Sequence, residues 1–213
     1  MLSNRNLLSC VYKNIIKLDL NNNNILIING HPDKNSFNYV LSDSYAKAAI
    51  NSGANVRFIN ITDLNFTPFF KGFDKELEIE EDINKSQQDI KWAKHIVFFY
   101  PIWWASMPAL LKSFIERTFV PGFGENEFKG QEFIHWANFL KGKTARIIST
   151  MDSPPLFYII KVKDPGFHTI KDILNFCGIK SIKKTYLGPV KMSKEEQRQR
   201  WIRRIRKLGK NQK

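Results

Sequence analysis

The chain has 213 residues, 43% of them hydrophobic, enough for one domain with a proper core and no disulfide staples. Cys10 and Cys177 resemble neither a disulfide framework nor a zinc ligand set, which points to the reducing cytoplasm. No apolar run approaches the roughly 20 residues of a membrane span, and residues 1–24 lack the apolar core of a signal peptide. Most of the net charge of +13 sits in residues 191–213, where ten Lys or Arg face only Glu195 and Glu196; this reads as a solvated helix face or a surface for an acidic partner.

Residues 1–24 form an extension with a short amphipathic pattern (Leu7, Leu8, Val11, Ile15, Ile16) and end in an Asn21–Asn24 link. The domain proper is expected over 25–213. A buried strand is predicted at 25–28, then a loop from Gly30 to Asn35, then a helix capped by Asn35 or Ser36 and stopped by Gly53. A second strand is predicted over 55–61. The acidic segment 74–91 is predicted helical and leads to a third strand at 95–100, short, apolar and closed by Pro101. A helix follows over 108–118, with Pro108 in its first turn. A long loop then runs to about Lys141. The fourth strand is predicted at 144–149, followed by a loop through Asp152-Ser153-Pro154-Pro155 and a helix over 167–176. A fifth strand at 182–187 and a last helix over 194–208 complete the pattern.

Five strands alternating with helices predict an α/β fold with a doubly wound parallel sheet. No Gly-x-Gly-x-x-Gly follows the first strand and no P-loop is present, so a flavodoxin-like five-stranded sheet in the order 2-1-3-4-5 fits best. In such a sheet, loops at the carboxyl ends of the strands form the ligand crevice. Three of them carry the candidate chemistry. Ser36, Phe37 and Asn38 open a helix, where free N–H groups and the positive dipole end attract phosphate, and His31 adds a donor. Pro101, Ile102, Trp103 and Trp104 join the third strand to its helix, and two adjacent indoles there suit a flat ring system. Thr150, Met151, Asp152 and Ser153 follow the fourth strand, where their backbone can meet the polar edge of the same ring. His31, His95, His135 and His168 are scattered, so no metal site is expected, and no Gly-x-Ser-x-Gly elbow supports a serine nucleophile. Phosphate donors, an aromatic wall and a polar rim without an acid–base pair favour an organic cofactor that performs the chemistry itself.

The motifs Gly30-His31-Pro32, Ser36-Phe37-Asn38-Tyr39, Pro101 through Lys112 (PIWWASMPALLK), Phe114-Ile115-Glu116-Arg117-Thr118-Phe119 and Pro121-Gly122-Phe123 closely resemble the flavodoxin-like NAD(P)H:quinone oxidoreductases, the group that contains DT-diaphorase. The likeness spans residues 25–208. It implies a flavin-dependent two-electron reductase working by ping-pong exchange: NAD(P)H reduces the flavin, and a quinone or related electron-poor aromatic then takes the hydride in the same pocket. By position, His31, Ser36, Phe37 and Asn38 would hold the flavin phosphates. Pro101, Ile102, Trp103 and Trp104 would border the isoalloxazine, and Thr150 to Ser153 would meet its other edge. Trp104, Phe123 and Tyr158 would line the substrate pocket, with Tyr158 steadying charge on the reduced flavin. A homodimer is implied as well.

The chain departs from the family at three points. Met151-Asp152 stand where DT-diaphorase has a glycine pair, the family His falls near Ile159 instead of at His168, and the acidic residue beside the adenine half of FAD has no evident match near Trp201. FAD and FMN therefore both remain open. A rival reading is a flavodoxin-like ancillary subunit of a membrane transporter or other protein, docked through the extension and the basic tail. Nucleic acid is a weaker partner, because no stacking platform accompanies the charges.

Overall fold

The computed structural model describes residues 23–70, 72, 79–120, 123 and 139–213. The amphipathic pattern of the extension, the start of the acidic helix and most of the long loop after Val120 lie outside these residues. The described strands are β1 (Asn24–Asn29), β2 (Asn55–Asn60), β3 (His95–Pro101), β4 (Thr144–Thr150) and β5 (Ser181–Leu187). They form one sheet in the order β2-β1-β3-β4-β5, and every neighbouring pair is parallel, as expected. β1, β3 and nearly all of β4 are buried along their length, which is why they read as continuous apolar runs without alternation.

The described helices are α1 (Phe37–Ile50), α2 (Glu81–Trp92), α3 (Ala109–Thr118), α4 (Pro155–Ile160), α5 (Pro165–Phe176) and α6 (Glu195–Lys210). Alternate strand residues feed two cores. Ile25, Ile27, Val97, Phe99 and Ile148 pack with Leu41 and Tyr45 of α1 and Trp201 and Ile205 of α6. Leu26, Ile28, Ile96, Phe98 and Ile147 pack with Ile83, Leu111, Phe114, Ile170 and Leu174 of α2, α3 and α5. Gly209 lets α6 press onto α1, since a Cβ there would stand 2.4 Å from the Tyr45 carbonyl oxygen.

Asparagine pairs bracket the β1–β2 seam. Asn55 donates to Asn24 Oδ1 at one end (3.1 Å), and Asn29 donates to Asn60 Oδ1 at the other (3.2 Å). The second pair also steers the chain out of β1: Asn29 Oδ1 accepts from the His31 amide (3.2 Å) and so sets the exit of the first loop. At Gly30 a Cβ would collide with Leu111 of α3, so that loop leaves β1 pressed against the helix behind it.

α4 lies where a loop was expected. Pro154-Pro155 reads as a breaker, yet Pro155 occupies the first turn of α4, where a missing N–H costs nothing. Among the described residues, no helix is long and apolar enough to cross a membrane.

Candidate functional site

The carboxyl ends of β1, β3 and β4 open into a cleft of about 290 Å³. His31, Asp33, Ser36, Phe37, Asn38, Pro101, Ile102, Trp103, Thr150, Met151, Asp152 and Val190 line it. The three loops singled out in the sequence therefore converge.

The first loop is self-bonded. The Asp33 amide donates to His31 Nδ1 (2.9 Å) and the Asn35 amide to Asp33 Oδ1 (2.8 Å). Because Nδ1 accepts, a neutral His31 carries its proton on Nε2 and offers a donor there. Burial lowers the His31 pKa and so favours that neutral form, outweighing the pull of nearby Asp33. Ser36 caps α1 by accepting from the Tyr39 amide (3.3 Å), while the Phe37 and Asn38 amides, in the first turn, have no carbonyl of their own helix to bond.

Asn38 gives the site its sharpest polar signal. It is buried, its Nδ2 donates to Thr150 Oγ1 (2.7 Å), and its Oδ1 has no hydrogen-bond partner among the described residues. Such an orphan is costly in a finished structure. Turning the amide over lets the Thr150 hydroxyl donate to Oδ1 and frees the –NH2 group for an anion at the α1 N-terminus. That is the donor set a phosphate-bearing cofactor needs, so the residues fit a flavin nucleotide.

The wall is built by a tight turn. The Trp103 amide donates to the Ser106 carbonyl (2.8 Å) and the Ser106 amide to the Trp103 carbonyl (3.0 Å), while Trp104 and Ala105 between them have φ of 47° and 66°. Two positive φ values in succession suit Asn-Gly, not Trp-Ala, and each costs roughly 1–3 kcal/mol. Trp103 is half-exposed beside the cleft, edge-on to His31 with ring centroids 5.4 Å apart. Trp104 points away, its indole fully exposed. The Ile102 amide donates to Thr150 O (2.7 Å), which ties this wall to the fourth-strand loop.

The fourth-strand loop is fixed to the chain beyond β5. The Met151 amide donates to Leu187 O (3.0 Å), the Val190 amide to Met151 O (2.9 Å), and the Lys191 amide to Asp152 Oδ1 (2.8 Å). This is how Val190, unanticipated from the sequence, reaches the cleft; no residue pattern signals it. A Cβ at Gly188 would lie 2.7 Å from Met151 O, so the two loops fit only with glycine there. Asp33 was also missed, although it belongs to the loop already singled out.

Four expected residues lie outside the lining. Ser153 sits behind it, near Gly188. Trp104 stands at the rim. Phe123 is buried against Phe119 and Phe139 under Lys91, beside the start of β3 and so at the opposite edge of the sheet. Tyr158, on α4, is buried behind the wall: its hydroxyl donates to Ala105 O (2.8 Å) and accepts from the Gly166 amide (2.9 Å). Burial pushes its phenol up to about 12. Among the described residues, no group of His, Cys, Asp or Glu side chains is arranged to hold a metal ion.

A model of the flavodoxin-like fold family matches residues 23–208. The chain belongs to this family. The resemblance read from the motifs thus holds at family level. The chain is 27% identical over 192 residues to an uncharacterized NAD(P)H oxidoreductase of Haemophilus influenzae, a match covering 84% of this chain and 90% of that one. It is 24% identical to the ribosyldihydronicotinamide dehydrogenase [quinone] of Mus musculus, covering 88% and 93%. Among solved structures, Smu.1420 from Streptococcus mutans superposes with a TM-score of 0.72 at 29% identity, covering 88% of this chain and 99% of that one.

Proposed function

We propose that the chain is a flavin-dependent NAD(P)H:quinone oxidoreductase that moves two electrons from NAD(P)H to a quinone or related electron-poor aromatic, in alternating half-reactions at one pocket. One observation carries this reading. The cleft joins a phosphate end, made by the α1 amides and the buried Asn38 amide with its one unpartnered atom, to an aromatic wall at Trp103, within a span bounded by three loops of one sheet edge. The names of the relatives, an NAD(P)H oxidoreductase and a quinone-dependent dehydrogenase, agree with it.

A flavin bound there, FAD or FMN, would accept a hydride from the nicotinamide and pass the electrons on. The chain's own part is to bind and orient. His31 Nε2–H, the Phe37 and Asn38 amides and the Asn38 –NH2 group would hold the phosphate. Pro101, Ile102 and Trp103 would carry one face or edge of the ring, and the backbone of Thr150, Met151 and Asp152 the polar edge. Stacked aromatic partners exclude water and bring reacting carbons within transfer distance. A second cleft of about 340 Å³ is lined by Pro189, Lys194, Glu196, Arg200 and Trp201 among others, on the chain segment that also carries Val190 of the first cleft, and would be the seat of the second nucleotide half if the flavin is FAD.

The homodimer belongs to the same reading. Leu156, Phe157 and Ile160 of α4 are exposed, as is Trp104, and the bond from Tyr158 to Ala105 ties α4 to the turn that carries Trp104. An apolar surface of this kind is expected to be covered by a second copy that closes the substrate pocket.

The test is direct. Purified protein reconstituted with FMN or FAD should turn yellow, retain one of them through gel filtration, and oxidise NADH or NADPH on addition of a quinone. Colourless protein after saturation with both nucleotides would overturn the reading. The basic face of α6, with Arg203, Arg204, Arg206, Lys207 and Lys210, favours the second reading, an ancillary subunit for an acidic protein partner or membrane surface. It requires that charge-reversed α6 lose a co-purifying partner while catalysis persists.

A further inference from the structure

We propose that Tyr158 is a positioning residue: its hydroxyl pins the strained turn from Trp103 to Ser106 and thereby sets the cleft wall. The inference rests on the flavin-cleft reading and changes the part expected of Tyr158 within it.

A phenol has one hydrogen to donate, and Tyr158 donates it to Ala105 O at 2.8 Å. Its oxygen accepts from the Gly166 amide at 2.9 Å. Both roles are thus spent on backbone, in a side chain that is only 2% exposed. The hydroxyl has no proton left to direct into the cleft. A phenol with its pKa raised by burial also stays protonated throughout the neutral range.

The turn, in contrast, needs an outside tie. Trp104 and Ala105 hold left-handed φ values that neither side chain favours, and the paired bonds between Trp103 and Ser106 close the turn without relieving that cost. The tie is itself anchored. Tyr100, on β3, donates to Gly166 O (3.0 Å), so the residue that feeds Tyr158 is fixed to the sheet. A Cβ at Gly166 would lie 2.9 Å from the Tyr158 oxygen and 3.1 Å from Ile102 Cδ1, so glycine lets α5 come up directly behind the cleft wall. Sheet, α5, α4 and turn are joined in one chain of bonds, Tyr100–Gly166–Tyr158–Ala105. Its end point keeps Trp103 against His31.

The test uses Tyr158→Phe, Ala105→Gly and the double variant in the full chain, with and without flavin. Without flavin, Tyr158→Phe should speed exchange of the Ser106 amide, leaving that of the buried Phe98 amide on β3 as in the parent. With flavin, it should weaken flavin binding about tenfold and raise KM for NAD(P)H, while the shape of the pH–rate profile is kept. Glycine adopts positive φ without penalty, so adding Ala105→Gly should bring Ser106 exchange and flavin affinity back to within about threefold of the parent. Loss of an ionisation from the pH profile with Ser106 exchange unchanged would overturn the proposal in favour of a direct chemical role. Parent-like behaviour of Tyr158→Phe, or no recovery in the double variant, would overturn it too. If the parent binds no flavin, the functional reading fails, and the flavin-free exchange measurement still decides the fate of the pin.

Discussion

Asn38 is the residue on which the phosphate end of the cleft turns. Replacing it by Asp keeps the size, removes the –NH2 donor and puts a carboxylate beside an anion. Flavin affinity is expected to fall between tenfold and a hundredfold, read by quenching of flavin fluorescence on titration. His95 shows the opposite case, a buried titratable group with no part in the site. Its Nδ1 lies 2.7 Å from Thr144 Oγ1, its Nε2 has no hydrogen-bond partner among the described residues, and burial, followed by the nearby Arg146 charge, lowers its pKa to about 4. The unfolded chain takes up that proton near the ordinary value of 6.5, so stability is full above 6.5 and falls as the pH drops toward 4, by roughly 3 kcal/mol. Urea midpoints at pH 7 and pH 4.5 should therefore separate clearly in the parent and less in His95→Gln. In the sequence, His31, Ser36 and Asn38 were legible because a strand–loop–helix opening dictates where they fall. Trp104 was not, because the outward turn of its indole depends on a backbone conformation that Trp-Ala does not advertise.

Among the elements, α1 and α6 are held by one close approach. Gly209→Ala puts a methyl group 2.4 Å from the Tyr45 carbonyl oxygen, an atom of helix backbone that cannot swing aside, and should cost about 2 kcal/mol. Guanidinium unfolding monitored by circular dichroism would measure it. The strands were legible almost to the residue: burial on both faces leaves β1, β3 and β4 as short apolar runs bounded by Asn, Gly and Pro, while the mostly exposed edge strands β2 and β5 were marked by β-branched and aromatic residues. α4 was not. Pro154-Pro155 carries two opposite meanings, breaker and helix start, and the apolar run from Leu156 to Ile160 is too short for periodicity to choose between them. Val190 escaped for a related reason: its approach to the cleft comes from hydrogen bonds between the loops after β4 and β5, which no local pattern encodes.

For the whole molecule, alternating helices and right-handed crossovers left few arrangements for five parallel strands, and the absence of a dinucleotide fingerprint or P-loop after the first strand selected the order observed. Assembly was not legible in the same way, since a surface becomes an interface only through contacts with another chain. The exposed apolar residues of α4 make a measurable prediction there. Sedimentation should give a dimer, and Leu156→Asp with Phe157→Lys should shift it toward monomer and lower quinone turnover while flavin stays bound. Among the described residues, the cleft lining contains Asp33 and Asp152 but no Lys or Arg, even though the chain is strongly basic. A phosphate seated there would be held by fixed backbone dipoles and amides at short range, not by a diffuse ionic atmosphere. Raising the salt from 50 to about 500 mM should thus barely loosen the cofactor, whereas anything gripped by the cationic face of α6 would be released.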